Sequence, residues 1–315
     1  MTTPGEAPRV LNVRDDPRDH VPASADFDAT LPAFGDLARL VSVGSLRVTI
    51  NGLDNHLAAL IDDGYRGFVE PVAASPAGSR IDVVRAPTPS YLYLPRAEGR
   101  SEEARVGARG TEAGLELWSY FFAARFDRDA RAGRLLLCDA ADLDVSQGIE
   151  NTLRFFVSAA ALASGGFLLH SAGVAREGRA WLFFGPSGSG KSTTASNAPA
   201  DAQLLGDDLV LIEEHAGTWR ACGVPFRGTF ARGDNAASTA PVAMAFRLFQ
   251  SDECRIEQVP RIVQVAELLG EVPFLLDDAV MQERAAGIVE RFTRDVPVRR
   301  LHLRRDGSYW RVITG

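Results

Sequence analysis

The chain is short of sulfur, of positive charge and of long apolar runs, and each shortage removes a class of protein. Its 315 residues include three cysteines, Cys138, Cys222 and Cys254. An odd number, so widely spaced, makes neither a disulfide framework nor the paired spacing of a zinc site. Lysine and arginine total 34 against 41 aspartate and glutamate, a net charge of −7. The longest basic stretch, VRRLHLRR at 298–305, is too isolated to make the basic face of a nucleic-acid binder, so no nucleic-acid partner is expected. No apolar run reaches the roughly 18 residues of a membrane span. The N-terminal MTTPGEAPRV lacks the basic start and apolar core of an export signal. No membrane partner is expected, and the cytoplasm is the default location. With 46% hydrophobic and 24% charged residues, the composition suits a globular chain with one large core or two domains.

Residues 1–35 are rich in Asp, Pro, Ala and Arg without periodicity and are expected to form a flexible or loosely attached segment. Residues 36–140 carry strand-like pieces, VSVGSLRVTI, GFVEPVA, RIDVV, SYLYLP, GLELWSYFFAARFD and RLLLCDA, with one helical stretch, NHLAALIDDG. The polar, glycine-spaced RAEGRSEEARVGARGTE at 96–112 predicts an exposed segment. Together these predict a small α+β region without a motif of chemical meaning.

From residue 141 the pattern is clearer. In DVSQGIENTLRFFVSAAALASGG, Ile149, Leu153, Phe156, Val157, Ala160 and Ala161 recur at helical spacing and give one buried stripe. Asp144 and Gln147 resemble a capping box, and Gly165-Gly166 predicts the helix end. Two strands follow, FLLHSAGVA and RAWLFF, joined by a tight turn at Glu177-Gly178. That register places His170 opposite Gly185; a slip of one residue turns the imidazole to the other face. Further on, TWRACGV and VAMAFRLFQ read as strands, and IEQVPRIVQVAELLGEVPFLLDDAVMQERAAGIVERFTRDVP as two helices. VRRLHLRR and YWRVI predict a closing hairpin around Asp306-Gly307.

Directly after the apolar run AWLFF stands GPSGSGKS, residues 185–192, which fits G-x-x-x-x-G-K-[ST] at every fixed position. Glycines at 185, 188 and 190 leave backbone N–H groups uncovered, and such groups ring a phosphate. Gly185, Pro186, Ser187, Gly188, Ser189, Gly190, Lys191, Ser192 and Thr193 are therefore expected to hold ATP. Lys191 would reach the β and γ phosphates and Ser192 would place its hydroxyl on Mg2+. Downstream, QLLGDDLVLI at 203–212 sets Asp207 and Asp208 inside a strand-like run. Adjacent buried carboxylates are costly without a partner, and a magnesium ion is one. The other reading is a solvated turn at a strand end. His170 beside the loop either meets phosphate and metal or is a satisfied core histidine. In PFRGTFARGDNAAS, Arg227 and Arg232 either offer charge to a phosphoryl group or belong to a solvated loop. Arg247, inside AFRLF, calls for a carboxylate or phosphate.

Taken together, HSAGV, WLFFGPSGSGKSTT and LLGDDLVLI resemble the catalytic domain of HPr kinase/phosphorylase over about residues 145–315. The nucleotide site is also similar to that of phosphoenolpyruvate carboxykinases. The resemblance implies an α/β or α+β fold: an HPr-kinase-like P-loop catalytic domain with a mixed β-sheet over 141–315, preceded by a smaller α+β region. It implies an ATP-dependent serine kinase with ATP and Mg2+ as cofactors. The γ-phosphoryl group would pass to a hydroxyl of a protein, peptide or small hydroxylated acceptor. On this resemblance Asp207 is the base, Ser192 and Asp208 hold the metal, and Lys191, His170 and Arg227 assist catalysis. A homo-oligomer is compatible with it. The chain departs from the family at Pro225, two residues before Arg227, where the family has a glutamate. Its N-terminal half has no match there, which marks a divergent member of the kind encoded with peptide-modifying machinery. Two other readings stay open: a nucleotide-gated switch or ATPase acting through a partner, and a non-catalytic peptide- or partner-binding module.

Overall fold

A computed structural model describes residues 27–70, 72, 78–86, 106–119, 121–138, 145–226, 237–275, 278–304 and 307–314. In chain order the first part contains β1 (Leu37–Val43), β2 (Leu46–Leu53), α1 (Asn55–Gly64), β3 (Val69–Glu70), β4 (Ser79–Ala86), β5 (Gly107–Thr111), β6 (Gly114–Trp118), β7 (Phe122–Phe126) and β8 (Ala132–Cys138). The second contains α2 (Ser146–Ala163), β9 (Phe167–Arg176), β10 (Arg179–Phe184), α3 (Lys191–Ser196), β11 (Gln203–Gly206), β12 (Leu209–His215), β13 (Thr218–Cys222) and β14 (Thr239–Gln250). It closes with β15 (Arg255–Glu257), α4 (Arg261–Leu269), α5 (Ala279–Asp295), β16 (Val298–Leu303) and α6 (Tyr309–Thr314). Among the described residues no helix is long and apolar enough to cross a membrane.

Two mixed sheets result. The first runs β3-β1-β2-β4-β8-β7-β6-β5, and the second β10-β9-β12-β13-β14-β16-β15, with β11 also on β9 and β10 also on β14. The architecture is mixed α/β. Helix α2 joins the sheets, packing on β7 and β8 of the first and on β9 and β12 of the second. Its apolar residues do not form the single stripe expected from their spacing. The stripe residues are buried, but so are Thr152, Phe155, Ser158, Ala159 and Leu162 outside it, and a helix covered on more than one face belongs inside a core. Phe155 and Phe156 lie 5.7 and 5.0 Å from the Phe126 ring of the first sheet. Gly165, at φ 87°, ends the helix, and the Gly166 N–H reaches back to Ala161 O at 2.9 Å, a Schellman closure that the Gly-Gly pair signals.

The β9–β10 hairpin has the expected register, with Arg179 facing Arg176 and Phe184 facing Ser171. Glu177 and Gly178, at φ 51° and 72°, make the left-handed two-residue turn that matches the strand twist. The regular pairing ends one residue short of His170. There the chain leaves at Gly185, and the His170 N–H donates instead to Glu271 O at 2.8 Å. QLLGDDLVLI is not one strand. β11 and β12 both lie antiparallel to β9, with Asp207 and Asp208 in the bend between them.

Two other expectations fail for packing reasons. Part of the segment read as exposed, Gly107–Thr111, is the edge strand β5 paired with β6. Gly107 is needed there because a Cβ would sit 2.4 Å from the Trp118 ring. YWRVI is the helix α6 rather than a hairpin strand. The Phe183 ring centroid lies 5.9 Å from both Tyr309 and Trp310, each set edge-on to it, and the helix buries both side chains against β10. Asp144, SYLYLP and Asp306 lie outside the described residues.

One core unites both sheets, running from Val41 to Val298. Within it Phe292 of α5 sits edge-on to Phe167 of β9 at 5.3 Å and to Trp219 of β13 at 5.4 Å. Phe292→Ala is expected to lower stability by about 3–5 kcal/mol, the cost of emptying a fully packed aromatic site. Urea unfolding of the two proteins measures it, and a loss under about 1 kcal/mol would show that α5 does not seal this core.

Candidate phosphate-loop site

The site begins where β10 ends. β10 runs parallel to β14, with Phe184 beside Arg247, so the residues that follow emerge at the C-terminal edge of a parallel pair, the usual place for a ligand crevice. Gly185, Gly188 and Gly190 have φ of 143°, 79° and 111°. At Gly188 and Gly190 a Cβ would meet nothing within 4 Å, so it is the left-handed backbone and not lack of space that calls for glycine. The turn is held by Ser189 N–H on Pro186 O at 3.0 Å and by Gln250 Nε2 on Gly188 O at 2.6 Å. Short α3 is tied beneath by the Tyr309 hydroxyl, which donates to Thr194 O at 2.6 Å. The backbone N–H groups of Gly188, Gly190, Lys191, Ser192 and Thr193 meet no acceptor among the described residues.

Lys191 is only 8% exposed, and its Nζ donates to Gly185 O at 2.6 Å and to Pro186 O at 3.4 Å. The ammonium therefore closes the loop across its own carbonyls. Burial lowers its pKa, against the raising pull of Glu271 and Asp208.

Beside the loop lies a chain of alternating charge. His170 Nε2 is 3.2 Å from Asp208 Oδ1, and Nδ1 is 3.2 Å from Glu271 Oε2. Asp208 Oδ2 faces Arg154 Nη1 of α2 at 3.5 Å, and Arg154 Nη2 meets Glu150 Oε1 at 2.6 Å. The hydrogen bonds to Asp208, then Glu271, raise the His170 pKa to about 9 despite partial burial. Burial alone would push Asp208 up, but His170, Arg154 and Lys191 hold it below the usual carboxylate range. The two aspartates diverge at the β11–β12 bend: Asp207 is 5% exposed, whereas the Asp208 side chain keeps 31%.

The fold therefore brings His170, Lys191 and Asp208 to the loop of Gly185, Pro186, Ser187, Gly188, Ser189, Gly190, Ser192 and Thr193, with Asp207 next to them in the chain. Arg227 and Arg232 lie outside the described residues. Arg247 has found a carboxylate, Glu267, 3.6 Å from its Nε. Among the described residues no three His, Cys, Asp or Glu side chains converge to hold a metal. Asp208, expected on Mg2+, already shares its oxygens between His170 and Arg154. Sequence reading missed Arg154 and Glu271. Arg154 had a signal, being a charged residue between Leu153 and Phe155 in an apolar helix. Glu271 had none, because its place depends on how α4 returns to β9.

A family model described as SynChlorMet cassette protein ScmC matches residues 136–314, more than half of the chain. No curated protein matches it. The match overturns the resemblance to HPr kinase/phosphorylase and phosphoenolpyruvate carboxykinase, and with it the HPr-kinase-like fold identity and the ATP-dependent serine kinase drawn from it. The physical reason is the narrow base of that resemblance. It was most specific over 168–212, where glycines and a lysine answer to a backbone geometry that unrelated chains share.

Raised by its two carboxylates, His170 binds a proton more tightly folded than unfolded. Its contribution to stability is fully present below the unfolded value, about 6.5, and is lost as pH rises through about 9. Urea midpoints are therefore expected to fall between these pH values, and His170→Asn to flatten that slope. An unchanged slope in the variant would remove His170 as its cause.

Proposed function

The chain belongs to the ScmC family of SynChlorMet cassette proteins, and from that premise we propose that it is a phosphate-binding protein whose Gly185–Ser192 loop holds the polyphosphate of a nucleotide, ATP with Mg2+. The observation that carries this is the set of five backbone N–H groups without acceptors among the described residues, at Gly188, Gly190, Lys191, Ser192 and Thr193, in the loop that the buried Lys191 ammonium closes. Unused donors in a glycine turn form a concavity for oxyanions. The Lys191 ammonium, now on Gly185 O and Pro186 O, exchanges those carbonyls for phosphate oxygens, which carry full charge. The proposal is one of binding, with no group transfer.

Charge balance around the loop supports it. Asp208 and Glu271 would repel a polyphosphate if left bare. Protonated His170 lies between them and Arg154 faces Asp208, so the wall beside the loop is neutralised without losing its shape. Ser192 would offer its hydroxyl to a magnesium ion bound with the polyphosphate, which with water would supply most of the metal's oxygens.

Calorimetric titration of the full chain with magnesium ATP, and with magnesium tripolyphosphate as competitor, tests this. Both are expected to bind the same site, because the loop reads phosphate and not base. Lys191→Ala is expected to weaken binding about 10- to 100-fold, the worth of one charge-assisted hydrogen bond. Failure of tripolyphosphate to compete, or unchanged affinity in Lys191→Ala, would place the ligand elsewhere.

A further inference from the structure

A cavity of about 370 Å³ lies where the two halves of the chain meet, lined among others by Leu60, Ile61, Tyr65, Ile149, Glu150 and Pro225. Leu60 and Ile61 come from α1 beside the first sheet, and Ile149 and Glu150 from the first turns of α2. Its volume lies within the range of small-molecule sites. The walls are mostly apolar, and the polar groups are few.

Those few point to one kind of ligand. Tyr65 is 6% exposed, its ring set edge-on to Phe226 at 6.4 Å, and its hydroxyl has no hydrogen-bond partner among the described residues. The ring is buried, but the hydroxyl oxygen is not among the fully buried unpartnered atoms of the described residues, so it opens on the cavity that Tyr65 lines and can pair with a ligand there. Burial first, then the Glu150 charge, raises the Tyr65 pKa, so the hydroxyl stays protonated. Glu150 gives Oε1 to Arg154, while its Oε2 accepts no hydrogen bond among the described residues. Asp63 adds a second carboxylate to the lining, and among the described residues no lysine or arginine lines it.

We propose that this cavity is a binding site for a small molecule with an apolar body and a primary amine. The body fills the space between Leu60, Ile61, Ile149 and Pro225. The ammonium donates to Glu150 Oε2 and to the Tyr65 hydroxyl oxygen. A carboxylate in the same place meets Glu150 and Asp63 with like charge and is excluded. The site lies one side chain from Asp208, because Arg154 bridges Glu150 and Asp208.

Calorimetry on the full chain with tryptamine, tryptophol and indole-3-acetate separates head group from body, since the three share an indole. Tryptamine is expected to bind saturably, and at least about 10-fold tighter than indole-3-acetate, as expected when opposite charge replaces like charge. Tyr65→Phe is expected to weaken tryptamine by about 2- to 10-fold, the size of one lost hydrogen bond, with an unchanged melting temperature. Leu60→Trp, which fills the cavity from its wall, is expected to abolish binding and to leave the protein folded by circular dichroism. No saturable tryptamine binding, equal affinity for indole-3-acetate, or full affinity in both variants would overturn the assignment. Tryptamine carries no phosphate, so its failure leaves the phosphate-loop reading standing.

Discussion

Strand β9 is the constraint on which the site depends. One edge of it pairs with β10, and the other with β11 and β12. The first pairing delivers the phosphate loop to the sheet edge at Gly185. The second bends at Asp207-Asp208 and so sets Asp208 against His170. Backbone hydrogen bonds fix both registers, and a slip of one residue on either side would turn His170 or the aspartates away. Where β10 departs, Glu271 O takes the vacated His170 N–H at 2.8 Å. A backbone donor that would otherwise be unsatisfied thus draws in a carboxylate side chain as well.

That arrangement makes charge a property of the group rather than of any residue. His170 serves two carboxylates, Asp208 serves two cations, and Arg154 serves Asp208 and Glu150. Pairs of this kind half-buried beside a loop offset much of their desolvation through one another. Helix α2 carries Arg154 and Glu150 and is packed into both sheets, so the chain of ion pairs is anchored in the common core. The cavity beside Glu150 shares this anchor.

Local features were legible where local rules decide. The Glu177-Gly178 turn set the hairpin register, Gly165-Gly166 closed α2, and the spacing of glycines and Lys191 marked the loop. Where a distant partner decides, the reading failed. YWRVI carries aromatic and branched residues that suit a strand, yet the aromatic face of β10 takes it as a helix. α2 looked one-sided because a hydrophobic stripe says which residues are apolar, and only the second sheet shows that the opposite face is covered too. The family resemblance failed in the same way: it rested on a segment whose chemistry is common to many chains.

By itself the sequence determined the elements whose geometry is written within a few residues. These are the glycine loop with its three positive-φ residues and the hairpin before it. Only the tertiary structure decided what those groups meet. Glu271, in the turn after α4, reaches His170 from about a hundred residues away, Arg154 of α2 reaches Asp208, and Tyr65 and Glu150 line one cavity from the two halves of the chain. Such contacts depend on how whole faces pack to exclude water, and no spacing within a single segment encodes which distant face will be opposite.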